Sequence, residues 1–450
     1  MSNSSGEHPF DVAITGAGYT GLMSGYLLSK QGLRCAVFES KDHPGGMAAT
    51  FPYYGTRLEE FYHHLFTGDR LIVDLFEELG LADTLMPITS RMGFFIDGKI
   101  WDFGTPQSLL RFKPLSWLDK VRFGLGALAL RRVDNWKSLE GTTAMEGLQK
   151  YFGSGPTRVV WEPLMRGKFG PACDQVSLVW IWGKIKLRGQ SRSKGGAKET
   201  LLYPRGSFEV FTSRLVREIE KAGGSVCTGE GVERIETASN PTGDGRCVSN
   251  IVTSRGTYPC RAVLHTPDPG TLARICPELP ETWKEKAAFI KHVGVACLIL
   301  TLRQSFSRIY WLNIGDRSIP FGGTMEQTNL VVTDTYGGKT PLYVSNYVYT
   351  DDPIYNMPVD ELIDFYLPHL QKINPRFSKD WIEDAHLFHH PAAQPVIPCH
   401  YSQHILPHST PIDGLFLAHI SQIYPEDRGT NYSMKLARSA ASLVTDHLKG

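Results

Sequence analysis

The sequence predicts an α/β protein: a Rossmann-type dinucleotide-binding domain assembled from separated chain segments, with a second, α+β domain threaded between them. Three stretches carry that expectation. Phe10-Asp-Val-Ala-Ile-Thr-Gly16-Ala-Gly18-Tyr-Thr-Gly21 reads as a strand entering a Gly-x-Gly-x-x-Gly turn that opens a helix over 22–30. Arg34-Cys-Ala-Val-Phe-Glu39 reads as the next strand of the same unit, ending in an acid. Far along the chain, Gly414-Leu-Phe-Leu-Ala418 reads as a last apolar strand, and 431–448 as a last helix.

Each position in the first unit has a physical task. Gly16 permits the tight turn, Gly18 lets the backbone approach a pyrophosphate, and Gly21 lets the helix pack on its strand. The helix N-terminus turns free N–H groups toward the phosphates. Glu39 stands about 20 residues past the glycines, where a carboxylate accepts the ribose hydroxyls of an adenosine.

Asp42-His-Pro-Gly45-Gly46-Met47-Ala-Ala-Thr50 follows at once. With this segment the chain resembles the flavoprotein superfamily of amine oxidases, protoporphyrinogen oxidase, phytoene desaturases and UDP-galactopyranose mutase. In that group the ribose acid is followed by a Gly-Gly pair that passes close to the flavin side of FAD. The resemblance implies FAD as cofactor, with Gly16, Gly18, Gly21, Glu39, Gly45, Gly46 and Met47 lining its path. Many members carry Arg where this chain has Met47, which removes a phosphate contact and keeps the backbone role of the glycines. The resemblance also implies a glutathione-reductase-like FAD domain in three segments, with Val232 meeting the adenine through its backbone.

At the carboxyl end, Gly429-Thr430-Asn431 opening a helix looks like the superfamily's closing motif, in which the helix N-terminus faces the flavin N1 and C2 carbonyl. Relatives often place Gly-Asp or Gly-Glu after the apolar strand, whereas this chain has His419-Ile420. Asp427 and Arg428 then stand as the polar contacts near the flavin, or as an ion pair capping the last helix. Some monoamine oxidases link FAD to a cysteine before the last strand. Cys399, in Ile397-Pro-Cys399-His400, lacks their flanking pattern, so attachment is expected to be non-covalent.

The expected organisation is a weave. Residues 1–90 form the first FAD-binding segment, 91–198 a mainly helical substrate or cap domain, and 199–268 the second FAD-binding segment. Residues 269–385 form the substrate-domain sheet, and 386–450 the third FAD-binding segment. Asp97-Gly98 turns a hairpin over 91–101. Strands are expected over 294–302, 329–333 and 341–349, and a helix over 358–373.

Composition excludes other classes. With 450 residues, 42% hydrophobic, the chain is long enough for two domains with full cores. Net charge of +1 argues against general nucleic-acid binding. The eight cysteines are scattered without a C-x-x-C pair, which points to free thiols in a reducing cytosol and away from zinc. The five histidines between His389 and His408 lack a metal-ligand spacing, so no metal is expected. The start, Met1 to His8, has no signal-peptide pattern, and no apolar run is long enough to span a membrane. A cytoplasmic location is expected.

For chemistry, Tyr62-His63-His64 stands where the mutases carry a Gly-Pro-His segment against the flavin. Imidazole suits proton transfer near neutral pH, and alternation predicts that one histidine faces the flavin and the other away, with His64 the catalytic choice. Tyr310, Trp311, Tyr343 and Tyr347 read either as an aromatic wall over the flavin or as ordinary sheet core. Tyr347 and Arg428 complete the catalytic candidates. The basic stretch Trp180–Lys194 either steers an anionic substrate or is a solvated loop. Ser116–Arg132 is either a cap-domain core helix or an amphipathic helix for a membrane surface, which leaves peripheral membrane contact open.

The resulting expectation is an FAD-dependent oxidoreductase that takes hydride from a small molecule onto flavin N5. No second strand–Gly-x-Gly-x-x-Gly–helix unit appears, so oxygen or another acceptor is expected to reoxidise the flavin. Two alternatives stand beside it: a non-redox sugar mutase like UDP-galactopyranose mutase, and a flavin-binding protein without catalysis.

Overall fold

The computed structural model describes residues 10–190, 199–241 and 243–449. In chain order, β1 (Phe10–Thr15), α1 (Tyr19–Ser29) and β2 (Cys35–Phe38) form the opening unit. A hairpin follows, β3 (Met92–Ile96) and β4 (Lys99–Asp102), turned by Asp97 and Gly98 at φ of 54° and 68°. The helical stretch holds α2 (Pro106–Arg111), α3 (Trp117–Arg131), α4 (Ala144–Phe152), α5 (Glu162–Phe169) and α6 (Leu178–Gln190). Thr105, Ser116 and Thr143 cap α2, α3 and α4 with side-chain oxygens, which fixes where each begins.

Then come α7 (Glu209–Lys221), β5 (Ser225–Cys227), β6 (Val232–Ser239), β7 (Arg246–Thr253) and β8 (Gly256–His265). The second excursion holds β9 (His292–Leu302), β10 (Trp311–Ile314), β11 (Gly323–Glu326), β12 (Thr340–Val348), α8 (Val359–Ile373) and β13 (Ile382–Pro395). The chain closes with β14 (Leu415–Leu417) and α9 (Thr430–Lys449).

Two seven-stranded sheets organise these elements. The first runs β5-β2-β1-β8-β7-β6, with β14 pairing β8. Its β1, β2, β5, β8 and β14 are parallel and apolar in the middle, with α1, α7 and α9 packed beside them. Thr15, Phe38, His265 and Leu417 end these strands side by side, and ligands of such sheets bind beyond those carboxyl ends. The second sheet runs β13-β9-β12-β11-β10-β3-β4. Its strands come from distant stretches of sequence, so the second domain is tied together by non-local pairing.

The structure corrects four local expectations. Residues 329–333 are not a strand: Gln327–Asn329 and Thr333–Tyr336 are 3-10 turns. Asn329 Nδ2 donates to the Ser307 and Ile309 carbonyls at 3.0 and 3.2 Å, so its polar side chain holds a turn, while Leu330 and Val331 are buried as a local plug. The strand in that region is β11, immediately before. Second, β13 was not foreseen as a strand. It pairs with β9 at the sheet edge, where Pro391 and Pro395 are tolerated, and the segment boundary expected at 386 falls inside it. Third, the basic stretch after Trp180 is not a loop: α6 continues to Gln190, while residues 191–198 lie outside those described. Fourth, α3 is not a buried core helix, since most of one face is exposed.

The eight cysteines are free thiols. No helix among the described residues is long and apolar enough to cross a membrane.

Candidate active site

The glycine turn after β1 is shaped by contacts that no side chain would allow. A Cβ on Gly21 would lie 1.9 Å from the Gly16 carbonyl oxygen. Gly16 itself has φ of +88°, and a Cβ there would meet Thr266 Oγ1 at 2.7 Å. Gly46, at φ +58°, comes so close to Gly18 that a Cβ would sit 2.8 Å from the Gly18 Cα. The Gly45 amide donates to the Ala17 carbonyl at 2.8 Å, which zips the two glycine segments together. Gly18 by contrast faces open space on its Cβ side except for Gly46. Both glycine motifs of the sequence thus form one cradle of bare backbone at the carboxyl end of the parallel strands.

Glu39 follows β2, and its Oε2 accepts the Ala17 amide at 2.8 Å. The carboxylate therefore borders the phosphate turn. The Glu39 carbonyl accepts the Glu230 amide, so the loop that leads into β6 and Val232 runs beside it. A dinucleotide fits these residues: a cradle without side chains for the pyrophosphate, an acid beside it for a ribose, and Val232 beyond. Among the described residues no group of three His, Cys, Asp or Glu side chains is placed to hold a metal ion.

Beyond the cradle lies a cavity of about 390 Å³. Met47 and the Tyr62-His63-His64 segment line one part of it, and Gly429, Thr430 and Asn431, the start of α9, line another. α9 is 20 residues long, and its first turn supplies backbone N–H groups and partial positive charge at this wall. Asn431 Oδ1 also accepts the Ile72 amide at 3.3 Å.

The polar centre of the cavity is Tyr347, on β12. Lys168 Nζ donates to its hydroxyl oxygen at 2.8 Å, and Arg428 Nη2 donates at 2.9 Å. The Tyr62 hydroxyl is a third partner of the same oxygen. Burial alone would raise the Tyr347 hydroxyl, but the charges of Lys168 and Arg428 outweigh it and bring it down to about 8. Burial pulls the Lys168 ammonium down to about 8 as well. Tyr62 moves the other way, well above the usual phenol range, because it is desolvated and faces Tyr347. Two groups poised near neutrality therefore share one hydrogen bond at the cavity wall.

Arg428 is held from its other side by Gln394 Oε1 at 2.9 Å. Asp427 does not pair with it through its side chain. Its carboxylate instead takes Lys184 from α6 and the Trp180 indole N–H at 3.0 Å, and the surrounding cations, against the cost of burial, hold it well below the usual carboxylate range. Asp427 thus ties the helical cap to the segment that starts α9. The expected alternative of an Asp427–Arg428 ion pair is not formed, while both residues line the cavity where the flavin contact was expected of them.

His63 and His64 both line the cavity, contrary to the expectation that they face opposite ways. The chain from 62 to 64 is irregular, and the strand Leu65–Phe66 begins only after it, so the two-residue alternation does not apply. His63 Nδ1–H donates to the Phe61 carbonyl at 2.6 Å, and burial holds its imidazole down at about 4, so it is neutral at physiological pH. His64 Nδ1 lies 3.1 Å from the Tyr310 hydroxyl, with the Tyr310, Trp311 and Phe66 rings edge-on around it.

Tyr310, Trp311 and Tyr347 line the cavity, while Tyr343 sits behind them, its hydroxyl on the Glu59 carbonyl at 2.8 Å. Tyr343, Ser345 and Tyr347 share one face of β12, and Asn346 turns to the other, toward Pro320 and Tyr366. Lys168 was missed by sequence reasoning. A single lysine in Met165-Arg-Gly-Lys168-Phe169 has no pattern that separates it from a solvated one. Glu59 was missed too: it is fully buried, takes the Tyr203 hydroxyl and the Phe208 amide, and burial pushes its carboxyl up to about 7.

Comparison with known proteins bears on this arrangement. The model of the family described as flavin-containing amine oxidoreductase matches residues 19–425. A coproporphyrinogen III oxidase of Propionibacterium freudenreichii subsp. freudenreichii is 28% identical over 184 residues, 37% of this chain and 33% of that protein. The chain spans between a third and about half the length of such curated relatives. Among solved structures, reduced UDP-galactopyranose mutase aligns with a TM-score of 0.74 at 14% identity, covering 97% of this chain and 96% of that one. Cyclohexylamine oxidase from Brevibacterium oxydans IH-35A aligns with a TM-score of 0.69 at 16% identity, covering 98% and 100%. At such identities these two likenesses speak for the fold, and the family match for the cofactor, FAD. The cradle, the helix N-terminus at the cavity and the match over 19–425 together mean that this chain belongs to the flavin-containing amine oxidoreductase family of FAD-dependent oxidoreductases.

Proposed function

We propose that the chain oxidises a small, anionic organic substrate held in the cavity, with Tyr347 taking the proton that leaves the substrate's O–H or N–H. The observation that carries this reading is the convergence of Lys168, Arg428 and Tyr62 on one phenol oxygen, which favours its ionised form near pH 8. When bound, FAD supplies the acceptor for the hydride. In such a two-electron oxidation the bound cofactor would supply the hydride acceptor, and the Tyr347 oxygen takes the one accompanying proton, so the electrons and the proton are both accounted for.

The other residues support that step. Lys168, also near 8, donates to the same oxygen as an ammonium; once it has released a proton to solvent, its neutral amine takes the proton that Tyr347 has gained. Arg428 stays charged and, held by Gln394, fixes the phenol in place. Tyr62, Tyr310 and Trp311 keep water from the reacting atoms. His64 is the second proton-handling candidate, oriented by Tyr310. Lys168 and Arg428 have further donors that suit a substrate carboxylate or phosphate. No cysteine lines the cavity among the described residues, which supports a non-covalent cofactor. Oxygen or another acceptor would be needed to return a bound flavin to its oxidised form.

The test uses purified, FAD-loaded protein and a panel of carboxylated and phosphorylated compounds. Coproporphyrinogen III, the compound in the Propionibacterium relative's name, comes first because its carboxylates would meet Lys168 and Arg428. Bleaching of the visible flavin band on anaerobic mixing, and an oxidised product in air, are expected. A product isomeric with its substrate would replace this reading with the mutase-like one. A flavin that no compound of the panel reduces would replace it with a binding role.

A further inference from the structure

We propose that α3 docks the protein onto an anionic lipid surface. Trp117, Leu118, Val121, Leu125 and Leu128 are 66%, 58%, 46%, 61% and 51% exposed. At helical spacing they fall within about 100° of arc, one continuous apolar stripe along α3. Leu110 of α2, 54% exposed, extends it, and the Lys120 ammonium reaches across to the Leu110 carbonyl at 2.8 Å. Single exposed leucines are ordinary, but six large apolar side chains in one row are not.

The opposite face of α3 accounts for its anchorage. Gly126 and Leu130 are buried, the Phe123 ring stacks on Trp161 at 5.5 Å, and Asp119 pairs with Arg122 close over Gly155. α3 is therefore a fixed part of the cap, with its apolar stripe turned outward. The same cap supplies Lys168 from α5 and Lys184 from α6 to the cavity.

Charge selects the occupant. Residues 111–137 carry seven Lys or Arg (111, 113, 120, 122, 131, 132 and 137) against Asp119 and Asp134, a net +5 in a chain whose total is +1. On the helix, Lys120 and Arg131 flank one side of the stripe and Arg122 the other. A second copy meeting this face across a two-fold axis would bring like charges together. A lipid surface with acidic headgroups meets them with opposite charge, while the leucines and Trp117 enter the headgroup–acyl boundary. This helix would lie in the plane of the membrane and not cross it.

Co-sedimentation of the FAD-loaded full chain with vesicles tests the proposal. Vesicles of phosphatidylcholine with about one-third phosphatidylglycerol should pellet the protein, and pure phosphatidylcholine should pellet far less, since each Lys or Arg at the surface is worth roughly fivefold in partitioning. The variant L118S/L125S/L128S changes only exposed side chains and should keep its FAD and melting temperature, yet partition at least about tenfold less. R131E/R132E should lose the preference for phosphatidylglycerol. Val332→Ser, at a 70% exposed site elsewhere, is the control and should bind as wild type. Equal pelleting of wild type and L118S/L125S/L128S would overturn the proposal. So would a wild-type protein that stays in solution with either vesicle, or one that forms a dimer which that variant makes monomeric.

Discussion

In the nucleotide cradle, Gly16, Gly18, Gly21, Gly45 and Gly46 act through the side chains they lack, and all five lie in one stretch of chain. In the cavity, Lys168, Tyr347 and Arg428 act through polar atoms brought together across 179 and 81 residues. The cradle is a matter of shape, because its backbone is closed to Cβ atoms at Gly16, Gly21, Gly45 and Gly46, and the pyrophosphate role proposed for it depends on that bareness. The cavity acts by electrostatics, because two cations and a phenol donor change what one oxygen does. Damage to the first should remove the cofactor outright, and damage to the second should leave the cofactor and remove the chemistry.

The largest effect expected is Gly21→Val. Its Cβ would lie 1.9 Å from the Gly16 carbonyl oxygen, so the turn must open and bound FAD should be lost altogether. The ratio of flavin to protein absorbance reads this directly, and a fully yellow variant would break the account of the cradle. Tyr347→Phe is the counterpart: FAD should stay, while turnover per bound flavin falls by roughly 10²–10⁴-fold. Loss of FAD together with turnover would show that the two regions are not separable in this way.

His64→Ala should lower turnover per FAD by roughly 10²-fold, at the weak end of acid–base catalysis, because Tyr347 still takes the proton. His63→Ala should act on thermal stability instead, since its Nδ1–H is committed to the Phe61 carbonyl. Both residues line the cavity, so equal losses of turnover in the two variants would mean that the segment works as a unit.

Acid should weaken the fold. Burial holds His265, His292 and His390 down at about 4, against an ordinary value near 6.5. The unfolded chain takes up protons below about 6.5 and the folded chain only near 4, so stability falls across that window, by about 3 kcal/mol for the fully buried His265. Glu59, raised to about 7, works in the opposite sense, since the folded chain accepts its proton first as pH falls from about 7 to 4.5. Melting temperatures measured from pH 7 to 4.5 should therefore decline in wild type, and decline more steeply in Glu59→Gln, where the opposing gain is removed. A flat profile would contradict the burial of these histidines.

How much of this the sequence disclosed follows the same division. The cradle was legible because glycine spacing dictates backbone geometry locally, and Glu39 follows at a fixed interval. The hairpin at Asp97-Gly98 and the sheet that carries Tyr347 were legible from turn chemistry and apolar runs. The apolar run after Asn329 misled, because a β-branched sequence does not reveal that an asparagine amide will hold a turn. β13 escaped notice because its histidines and prolines read as loop, and only an edge position makes them acceptable. Tyr347 and Arg428 were named singly, but their meeting with Lys168 is a product of sheet and cap packing that no local pattern encodes.

The account rests most directly on the Tyr347 hydroxyl, and an ultraviolet difference titration of the folded protein measures it without any substrate. Of the 18 tyrosines, one should ionise near pH 8, well before Tyr62, Tyr310 and Tyr343, which burial pushes upward, and the step should vanish in Tyr347→Phe. No tyrosinate signal below about pH 10, the ordinary phenol value, in the wild type, or the same early step in Tyr347→Phe, would contradict it.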